Sequence, residues 1–340
     1  MKGIVCEEIG KFTFRNDLEE PILEEGKAVV RICRIGICGT DLHAYQGNQP
    51  YFTYPRILGH ELSGIIEDIG ANDAGLCCGD QVSIVPYMHC GECSACRSGK
   101  TNCCKHMKVF GVHIDGGMRE RVSIPVEHLI KTDGLTLDQS AMLEPLAIGA
   151  HAVRRSGLVP DDTVLVIGAG PIGLGVMALA RYAGANVIAM DVNEERLAFC
   201  SSWAQVKHTI NASQHPKEQL EEVTDFNLAS VVIDATGNAI SMANAFGLVA
   251  HGGSLVYVGL VKSNITFNDP DFHSRELTLM GSRNATKEDF DRVLDAISAG
   301  YVDMNGYITH RCALGDMINE FGSWLKPESG VIKAIVEVGN

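Results

Sequence analysis

A cysteine and a histidine in the first sixty residues have the chemistry of metal ligands. Cys38 precedes Gly39 and His60 follows Gly59, so the backbone can come close to each side chain. A thiolate and an imidazole are ligands that Zn²⁺ prefers, and a catalytic zinc keeps three protein ligands and one open position. We therefore predict a catalytic zinc on Cys38, His60 and a third residue from elsewhere in the chain. Alone, such a pair is more often two buried packing residues.

A second group of cysteines lies in one short loop. Cys90-x-x-Cys93-x-x-Cys96 is followed by the pair Cys103-Cys104. Four closely spaced thiolates can close a tetrahedral structural zinc site. We predict that site on Cys90, Cys93, Cys96 and Cys104, with Cys103 as a spare. An iron–sulfur cluster is the alternative, but the bacterial ferredoxin spacing has its fourth Cys three residues on and followed by Pro, which this loop lacks.

A glycine-rich turn near the middle of the chain is typical of dinucleotide binding. An apolar run leads into Gly168-x-Gly170-x-x-Gly173, a helical segment follows, and the next apolar run ends at Asp191. Gly168 would make the tight turn, Gly170 would admit the pyrophosphate, and Gly173 would allow the helix to pack closely. Asp191 can accept hydrogen bonds from the adenosine ribose, and it would repel the 2′-phosphate of NADP. This pattern predicts NAD as the cofactor.

Composition excludes several classes of protein. The chain has 340 residues, 46% of them hydrophobic and 21% charged, which is typical of about two globular domains. With 28 Lys and Arg against 42 Asp and Glu the net charge is −14, and no basic run indicates nucleic-acid binding. No signal peptide or membrane-spanning run is visible, so we expect a cytoplasmic protein. Twelve cysteines in that compartment favour metal binding over disulfides.

The pattern of elements predicts two folds in one chain. Short strands over 3–6, 12–14, 27–35, 63–69, 81–85 and 121–124 indicate a small antiparallel barrel or sandwich. From residue 162 onward, six strands alternate with helices, including one over 239–250, which is typical of a doubly wound parallel sheet. A last strand over 331–338 should return to the first domain. We therefore expect one domain over 1–150 and 285–340, and a dinucleotide-binding domain over 151–284.

Together, the motifs resemble the zinc-dependent medium-chain dehydrogenase family along the whole chain. The segments that carry the resemblance are Cys38-Gly-Thr-Asp-Leu-His43, Gly59-His60-Glu61, the four-Cys loop and the glycine turn. The resemblance implies an α/β protein with a GroES-like catalytic domain, a Rossmann domain for NAD, two zinc ions per chain, and a homodimer or homotetramer. It also implies zinc on Cys38, His60 and Glu144, and a proton relay from Thr40 to His43. Glu61 would lie beside the metal, either as an exchangeable ligand or as a residue that contacts the ligands without binding the metal.

Glu144 separates this chain from the alcohol-dehydrogenase branch, in which a Cys would stand at this position. The chain resembles the sorbitol- and threonine-dehydrogenase branch instead, and the alternative role for Glu144 is to cap the helix after Pro145. For the cofactor we expect contacts from a further set of residues: Pro171, Ile172, Arg196, Thr236, Gly259 and Ser282.

The substrate is predicted from three segments, 47–56, 111–117 and 281–286. They resemble bacterial dehydrogenases of sugar acids of the L-galactonate and L-gulonate type, which oxidise a C5 hydroxyl to a ketone. The candidate substrate residues are His113, Arg283 and Asn284. The alternative role for Arg283 is to contact the phosphate or ribose of the cofactor, or to pair with a carboxylate of the protein. The alternatives are a polyol or threonine dehydrogenase of the same family, an NAD-binding protein without turnover, and an electron-transfer protein.

Overall fold

The computed structural model describes residues 1–49 and 52–339. Pro50 and Tyr51, which belong to the segment 47–56 used for the substrate prediction, lie outside the described residues. The chain divides into two compact units. The first comprises Met1–Glu144 and Met304–Asn340, and the second comprises Pro145–Asp303.

Strands dominate the first part of the chain. They are β1 (Gly3–Glu8), β2 (Lys11–Arg15), β3 (Lys27–Ile37), β4 (Glu61–Ile69), β5 (Gln81–Ile84), β6 (Tyr87–Met88), β7 (Lys108–Val109), β8 (Arg121–Pro125) and β9 (Leu129–Lys131). The short helices between them are α1 (Gly39–Tyr45), α2 (Ser94–Arg97) and α3 (Leu137–Ala141), with 3₁₀ turns at Thr101–Cys103 and Val126–His128.

Strands and helices alternate in the second part. The helices are α4 (Leu143–Ser156), α5 (Pro171–Tyr182), α6 (Glu194–Trp203), α7 (Pro216–Val223), α8 (Ala239–Asn244), α9 (Asp269–Ser274) and α10 (Lys287–Ser298). The strands are β10 (Thr163–Ile167), β11 (Asn186–Asp191), β12 (His208–Asn211), β13 (Ala229–Asp234), β14 (Val249–Tyr257) and β15 (Thr278–Gly281). Within the described residues, none of the helices is both long and apolar enough to cross a bilayer.

The chain then returns to the first unit. Its last elements are β16 (Ile308–Ala313), α11 (Met317–Trp324), a 3₁₀ turn at Pro327–Ser329, and β17 (Lys333–Glu337). β17 pairs with β3 in antiparallel register, so the C-terminal segment completes the sheet that the N-terminal segment begins.

β3 organises the first unit. The strand order is β16-β17-β3-β4-β5-β9, and β8 also pairs with β3. Because β3 has neighbours on both edges and is rich in β-branched residues, its centre is fully buried, as Ile32 and Ile35 show. The predicted strand-rich fold is confirmed, and the pairing is antiparallel except between β16 and β17, which run parallel.

The second unit is built on a parallel sheet in the order β12-β11-β10-β13-β14-β15. This order places the first strand of the unit, β10, in the middle, as in the doubly wound dinucleotide-binding fold. Val164, Leu165 and Val166 in β10 are fully buried, since helices cover both faces of such a sheet. The predicted fold class is confirmed.

One predicted helix is wrong in its second half. The apolar segment 239–250 was expected to be helical throughout, but α8 ends at Asn244 and a 3₁₀ turn, Ala245–Leu248, follows. Val249 already belongs to β14, where it is the partner of Ala229 in β13. Sheet pairing therefore overrides the local helical preference of this segment.

The unit boundaries lie at 144/145 and 303/304, whereas the sequence placed them at 150/151 and 284/285. A buried carboxylate explains why α4 and α10 belong together. Asp289, with a fully buried side chain, accepts hydrogen bonds from Arg154 Nε at 2.7 Å and Thr286 N–H at 2.8 Å. His151 Nδ1 lies 3.0 Å from the same carboxylate. These contacts join the start of α10 to the second half of α4.

Replacing Asp289 by Ala is expected to lower the free energy of unfolding by about 2 kcal/mol, since Arg154 and His151 lose a shared acceptor. Burial alone raises the pKa of Asp289, but hydrogen bonds from His151 and Arg154 lower it overall. The ionised carboxylate therefore stabilises the fold at pH values above the ordinary pKa of a carboxyl group. This contribution is lost as the pH falls through the lowered pKa of Asp289. Urea unfolding at several pH values measures both effects. Asp291→Ala, at an exposed position of α10, is the control, and equal losses in the two variants would contradict the assignment.

Candidate active site

Cys38 is fixed at the junction of β3 and α1, where it is the N-cap of the helix. Its backbone N–H donates to Asp41 Oδ2 at 3.0 Å, and the N–H of Gly59 donates to Asp41 Oδ1 at 3.4 Å. The fully buried Asp41 also lies 3.7 Å from Nδ1 of His60. One carboxylate thus orients both segments that carry a predicted zinc ligand.

The backbone before His60 is held by close glycine contacts. Gly59 has a φ of +91°, and a Cβ on Gly111 or Gly116 would lie only 2.7 or 2.4 Å from the Gly59 oxygen. The N–H of Gly117 donates to that oxygen at 2.9 Å. Larger residues would separate these segments, so the glycines fix the place of His60.

Cys38, His60 and Glu61 come together in the first unit, with ligand atoms within 4.8 Å of one another. Glu144 lies outside that group, but its charge acts on the same histidine. Burial alone lowers the pKa of His60, whereas Asp41, Cys38 and Glu144 raise it well above the ordinary value. The surroundings favour positive charge at this point, and a dication would supply it.

The hydrogen bonds of the two glutamates differ. Both oxygens of Glu61 accept from Lys333 Nζ, at 2.6 and 2.8 Å. Oε1 of Glu144 accepts from the Tyr87 hydroxyl, but its buried Oε2 has no partner among the described residues. Burial raises the pKa of Glu144 to about 7. Proximity alone favours Glu61 as the third ligand, whereas the unpaired oxygen favours Glu144, because a buried acceptor needs a partner. A zinc ion therefore fits these residues.

Thr40 and His43 lie on α1, directly after Cys38. They are three residues apart, which places their side chains next to each other on a helix surface. Thr40 is half-buried and His43 is exposed. The pair can therefore join a buried position to solvent, as a proton relay requires.

The four thiols predicted as a structural zinc site lie together between β6 and β7: Cys90, Cys93, Cys96 and Cys104. Sulfur–sulfur distances are 3.5 Å for Cys93–Cys96, 4.0 Å for Cys93–Cys104 and 3.5 Å for Cys90–Cys104. Four sulfurs around a zinc at about 2.3 Å would be about 3.8 Å apart. Backbone N–H groups, first that of Cys96, lower the pKa of Cys93 to about 6, which favours the thiolate. Cys103 is exposed and stands outside the group.

The glycine turn has the geometry that the spacing predicts. Gly168 has a φ of +100°, and a Cβ on Gly173 would lie 1.7 Å from the Gly168 oxygen. A Cβ on Gly170 would meet nothing within 4 Å, so the space in front of the turn is open. α5 begins at Pro171, and the N–H groups of its first turn have no acceptor within the helix. Such a turn can hold a pyrophosphate.

Asp191 is bound to this turn at the carboxyl end of β11. Its Oδ2 accepts from the N–H of Ala169 at 2.6 Å, and its Oδ1 accepts from the N–H of Asn193 at 2.9 Å. Both bonds use backbone donors, so the direction of the carboxylate is fixed by the fold. Asp191 therefore lies where the ribose of a dinucleotide bound at the glycine turn would be.

Other predicted cofactor residues follow the carboxyl ends of β13, β14 and β15, the edge at which ligands bind in this fold. Thr236 is exposed, and a Cβ on Gly259 would lie 2.2 Å from the nitrogen of Gly237. The hydroxyl of Ser282 is buried and without a partner in the described structure, so it could contact the cofactor. Arg196 is exposed on α6, and Ile172 is half-buried.

The candidate substrate residues lie in different units. His113 belongs to the first, where its Nδ1 accepts from the N–H of Val109 at 2.9 Å. Its neutral form therefore carries the proton on Nε2, a hydrogen-bond donor. Arg283, which is exposed, and Asn284, with a φ of +53°, follow β15 in the second. Their role in binding substrate stays a prediction.

The structure adds residues that the sequence did not indicate. Asp41 could have been found, because it stands three residues after Cys38, the spacing of a capping box. Lys333 could also have been found, as a lone charge in the apolar run 331–336. Tyr87 had no local signal, since its contact with Glu144 spans 57 positions.

Exposed apolar residues mark the same edge of the second sheet. Val192, Ile240 and Leu260 follow β11, β13 and β14, and they are 69, 73 and 66% exposed. Single exposed apolar residues are common, but these three share the edge that carries Asp191 and the glycine turn. They are suited to contact the apolar faces of a bound nucleotide.

Two family models match the chain. The alcohol dehydrogenase GroES-like domain matches residues 24–134, and the zinc-binding dehydrogenase domain matches residues 171–299. The first match covers Cys38, His60 and the four-Cys loop, and the second begins at α5, directly after the glycine turn. The GroES-like prediction is thereby confirmed.

Individual relatives extend over nearly the whole chain. The L-galactonate-5-dehydrogenase of Escherichia coli (strain K12) is 41% identical over 336 residues, 99% of this chain and 98% of that protein. The L-idonate 5-dehydrogenase of Vitis vinifera is 33% identical over 293 residues, 83% and 80% of the two chains. The alcohol dehydrogenase rspB of E. coli CFT073, solved with cofactor NADH, has a TM-score of 0.92 at 28% identity and covers 99% of both chains. This chain belongs to the zinc-dependent medium-chain dehydrogenase family and is an oxidoreductase that uses zinc and NAD.

Proposed function

We propose that the protein oxidises the C5 hydroxyl of a six-carbon sugar acid of the L-galactonate or L-gulonate type to a ketone. The observation that supports the reaction is the pair of Cys38 and His60, whose ligand atoms lie close together, with the unpaired buried oxygen of Glu144 as the third donor. Three such donors suit a zinc with one open position. The substrate class comes from two relatives named as 5-dehydrogenases, of L-galactonate and L-idonate.

The chain's own residues position the reactants. When bound, zinc would act as a Lewis acid that lowers the pKa of the substrate hydroxyl, and NAD would accept the hydride. Asp41 orients Cys38 and His60, and Tyr87 holds one oxygen of Glu144, which leaves the other oxygen free to bind a metal. Thr40 takes the hydroxyl proton and passes it to His43, which releases it to solvent.

The glycine turn and Asp191 bind the cofactor. N–H groups at the start of α5 would donate hydrogen bonds to the pyrophosphate, and Asp191 would accept hydrogen bonds from the ribose hydroxyls. Around this core we assign further contacts to Pro171, Ile172, Arg196, Thr236, Gly259 and Ser282. Cys90, Cys93, Cys96 and Cys104 hold a second zinc with a structural role, because four thiolates leave no open position.

For the carboxylate of the substrate we propose Arg283, with Asn284 and His113 as further donors. Arg is suited to bidentate carboxylate binding. The alternative substrate is a neutral polyol such as sorbitol, or threonine. This alternative is supported by Glu144, since a Cys at that position would be typical of the alcohol-dehydrogenase branch.

We also propose a homo-oligomer in a reducing cytoplasm. β15 is the edge strand of the parallel sheet, and its Leu279 is 39% exposed. An edge strand presents unpaired N–H and C=O groups, which a second copy of the chain could cover. All twelve cysteines are thiols, as a reducing compartment requires.

Three cysteine variants test the metal sites. Purified protein should contain two zinc ions per chain by elemental analysis. Cys38→Ser should lower kcat by at least about a thousandfold, since the Lewis acid contributes several kcal/mol, yet keep NADH binding and the fold. Cys93→Ser should lose the other zinc and melt at a lower temperature, because structural zinc contributes folding free energy. Cys103→Ser is the control and should behave as the parent, and near-normal kcat in Cys38→Ser would refute the catalytic site.

Cofactor choice tests the role of Asp191. A charge of like sign at about 4 Å costs roughly 4 kcal/mol at an effective dielectric near 20, so kcat/KM should favour NAD over NADP by at least about a hundredfold. Asp191→Ala should reduce this preference. Glu194→Ala, at an exposed position of α6, is the control and should leave the preference unchanged. Equal use of both cofactors by the parent enzyme would contradict the assignment.

A substrate panel tests the function itself. L-Galactonate, L-gulonate, sorbitol and threonine are offered with NAD at neutral pH, and NADH absorbance is followed. A site that pairs with a carboxylate leaves its donors unpaired when sorbitol binds. The kcat/KM for sorbitol should therefore be at least about a hundredfold lower than that for the preferred hexonate. Arg283→Gln should raise KM for the hexonate without changing Kd for NADH, and Arg155→Gln, at another exposed position, is the control. Sorbitol oxidised as fast as either hexonate would leave a general polyol dehydrogenase.

A further inference from the structure

A buried ion pair lies beside the candidate zinc ligands, and the reaction described above does not use it. Lys333 Nζ donates to both oxygens of Glu61, at 2.6 and 2.8 Å, and lies 3.2 Å from the carbonyl oxygen of Ile37. The side chains are 2% and 0% exposed. Ionised groups are this deeply buried only when they are paired, so each side chain depends on the other for its place in the fold.

Three neighbouring strands bring the pair together. Glu61 in β4 is the register partner of Gly36 in β3, and Gly36 is the partner of Ile335 in β17. Lys333 is two residues from Ile335 and therefore on the same face of the sheet. A Cβ on Gly36 would lie 2.1 Å from Glu61 Oε2, so the carboxylate lies directly over this glycine. The missing side chain of Gly36 is what lets Lys333 reach Glu61 across β3.

Glu61 is close enough to act as a ligand itself. Its carboxylate is within 4.8 Å of the donor atoms of Cys38 and His60. If Glu61 and Glu144 both bound the metal, four protein ligands would close the site, as in structural zinc centres. An open position for substrate therefore requires that Glu61 be held elsewhere.

We propose that Lys333 is a positioning residue that keeps Glu61 away from the zinc, so that Glu144 completes the protein ligands and the fourth position stays open. This inference rests on the zinc site of the proposed function but not on the identity of the substrate. Without the ammonium group, Glu61 is an unpaired buried carboxylate beside a dication, and it turns to the metal.

The experiment compares Lys333→Met, Lys333→Met/Glu61→Gln and the control Lys131→Met, which removes a surface lysine of the same unit. Each protein is analysed for zinc, then loaded with Co²⁺ in the catalytic site and titrated with imidazole, a neutral probe for the open position. Visible absorption of Co²⁺ reports the coordination. Lys333→Met should keep its metal, lose the spectral response to imidazole, and lose about 10- to 100-fold in kcat/KM.

The double variant separates positioning from packing. Gln binds zinc poorly and needs no ammonium partner, so the imidazole response should return and kcat/KM should recover at least about tenfold over Lys333→Met. A parent-like imidazole response in Lys333→Met, or a double variant that recovers nothing, would overturn the proposal. If Lys333→Met does not fold, Gly36→Ala replaces it, because its Cβ pushes Glu61 off the lysine; a parent-like response there overturns the proposal as well. The imidazole titration contains no substrate, so failure of the sugar-acid assignment would leave its result unchanged.

Discussion

The balance of charge at the end of β3 is the constraint on which the first unit depends. Asp41, His60, Glu61, Glu144 and Lys333 are each at most 4% exposed. Moving an ionised carboxylate out of water costs several kcal/mol unless a cation or hydrogen bonds compensate. Lys333 compensates for Glu61, and backbone N–H groups bind Asp41. Oε2 of Glu144 has no such compensation among the described residues, and Glu144 and Cys38 are the two acidic groups proposed as metal ligands. When both are ionised, their combined charge balances that of a zinc ion.

Close backbone contacts make this arrangement possible. Gly36 leaves space for the Glu61 carboxylate, while Gly59, Gly111 and Gly116 approach one another more closely than residues with a Cβ could. The ligands are therefore held by rigid strand ends and short turns, and the polar groups that orient them are themselves buried and bonded. In the second unit Gly168 and Gly173 have the same role, since their contact places the start of α5 against the end of β10. In both units, glycines determine where a charged ligand can lie.

Features that depend on neighbouring residues could be predicted from the sequence, whereas contacts between distant residues could not. The four-Cys loop and the glycine turn are patterns of neighbouring residues, so their geometry followed from spacing, and the fold class followed from the alternation of elements. Lys333 contacts Glu61 at a sequence separation of 272 residues, and Tyr87 contacts Glu144 at a separation of 57. Local sequence patterns therefore cannot predict either contact. The end of α8 was missed for the same reason, because Val249 becomes a strand residue only through its pairing with Ala229. Distant partners, rather than local preferences, determine these details.

The net charge of the chain has less influence on substrate choice than its magnitude suggests. A net charge of −14 would repel a sugar acid. At physiological ionic strength, however, exposed charges are screened over about 8 Å, so most of the 42 acidic residues do not act on a bound anion. A single nearby guanidinium contributes more, because it can form two hydrogen bonds with a carboxylate. Neither the zinc ligands nor the glycine turn distinguishes a hexonate from a polyol, so this discrimination has to come from side chains outside both motifs. Arg283 is the residue proposed for it.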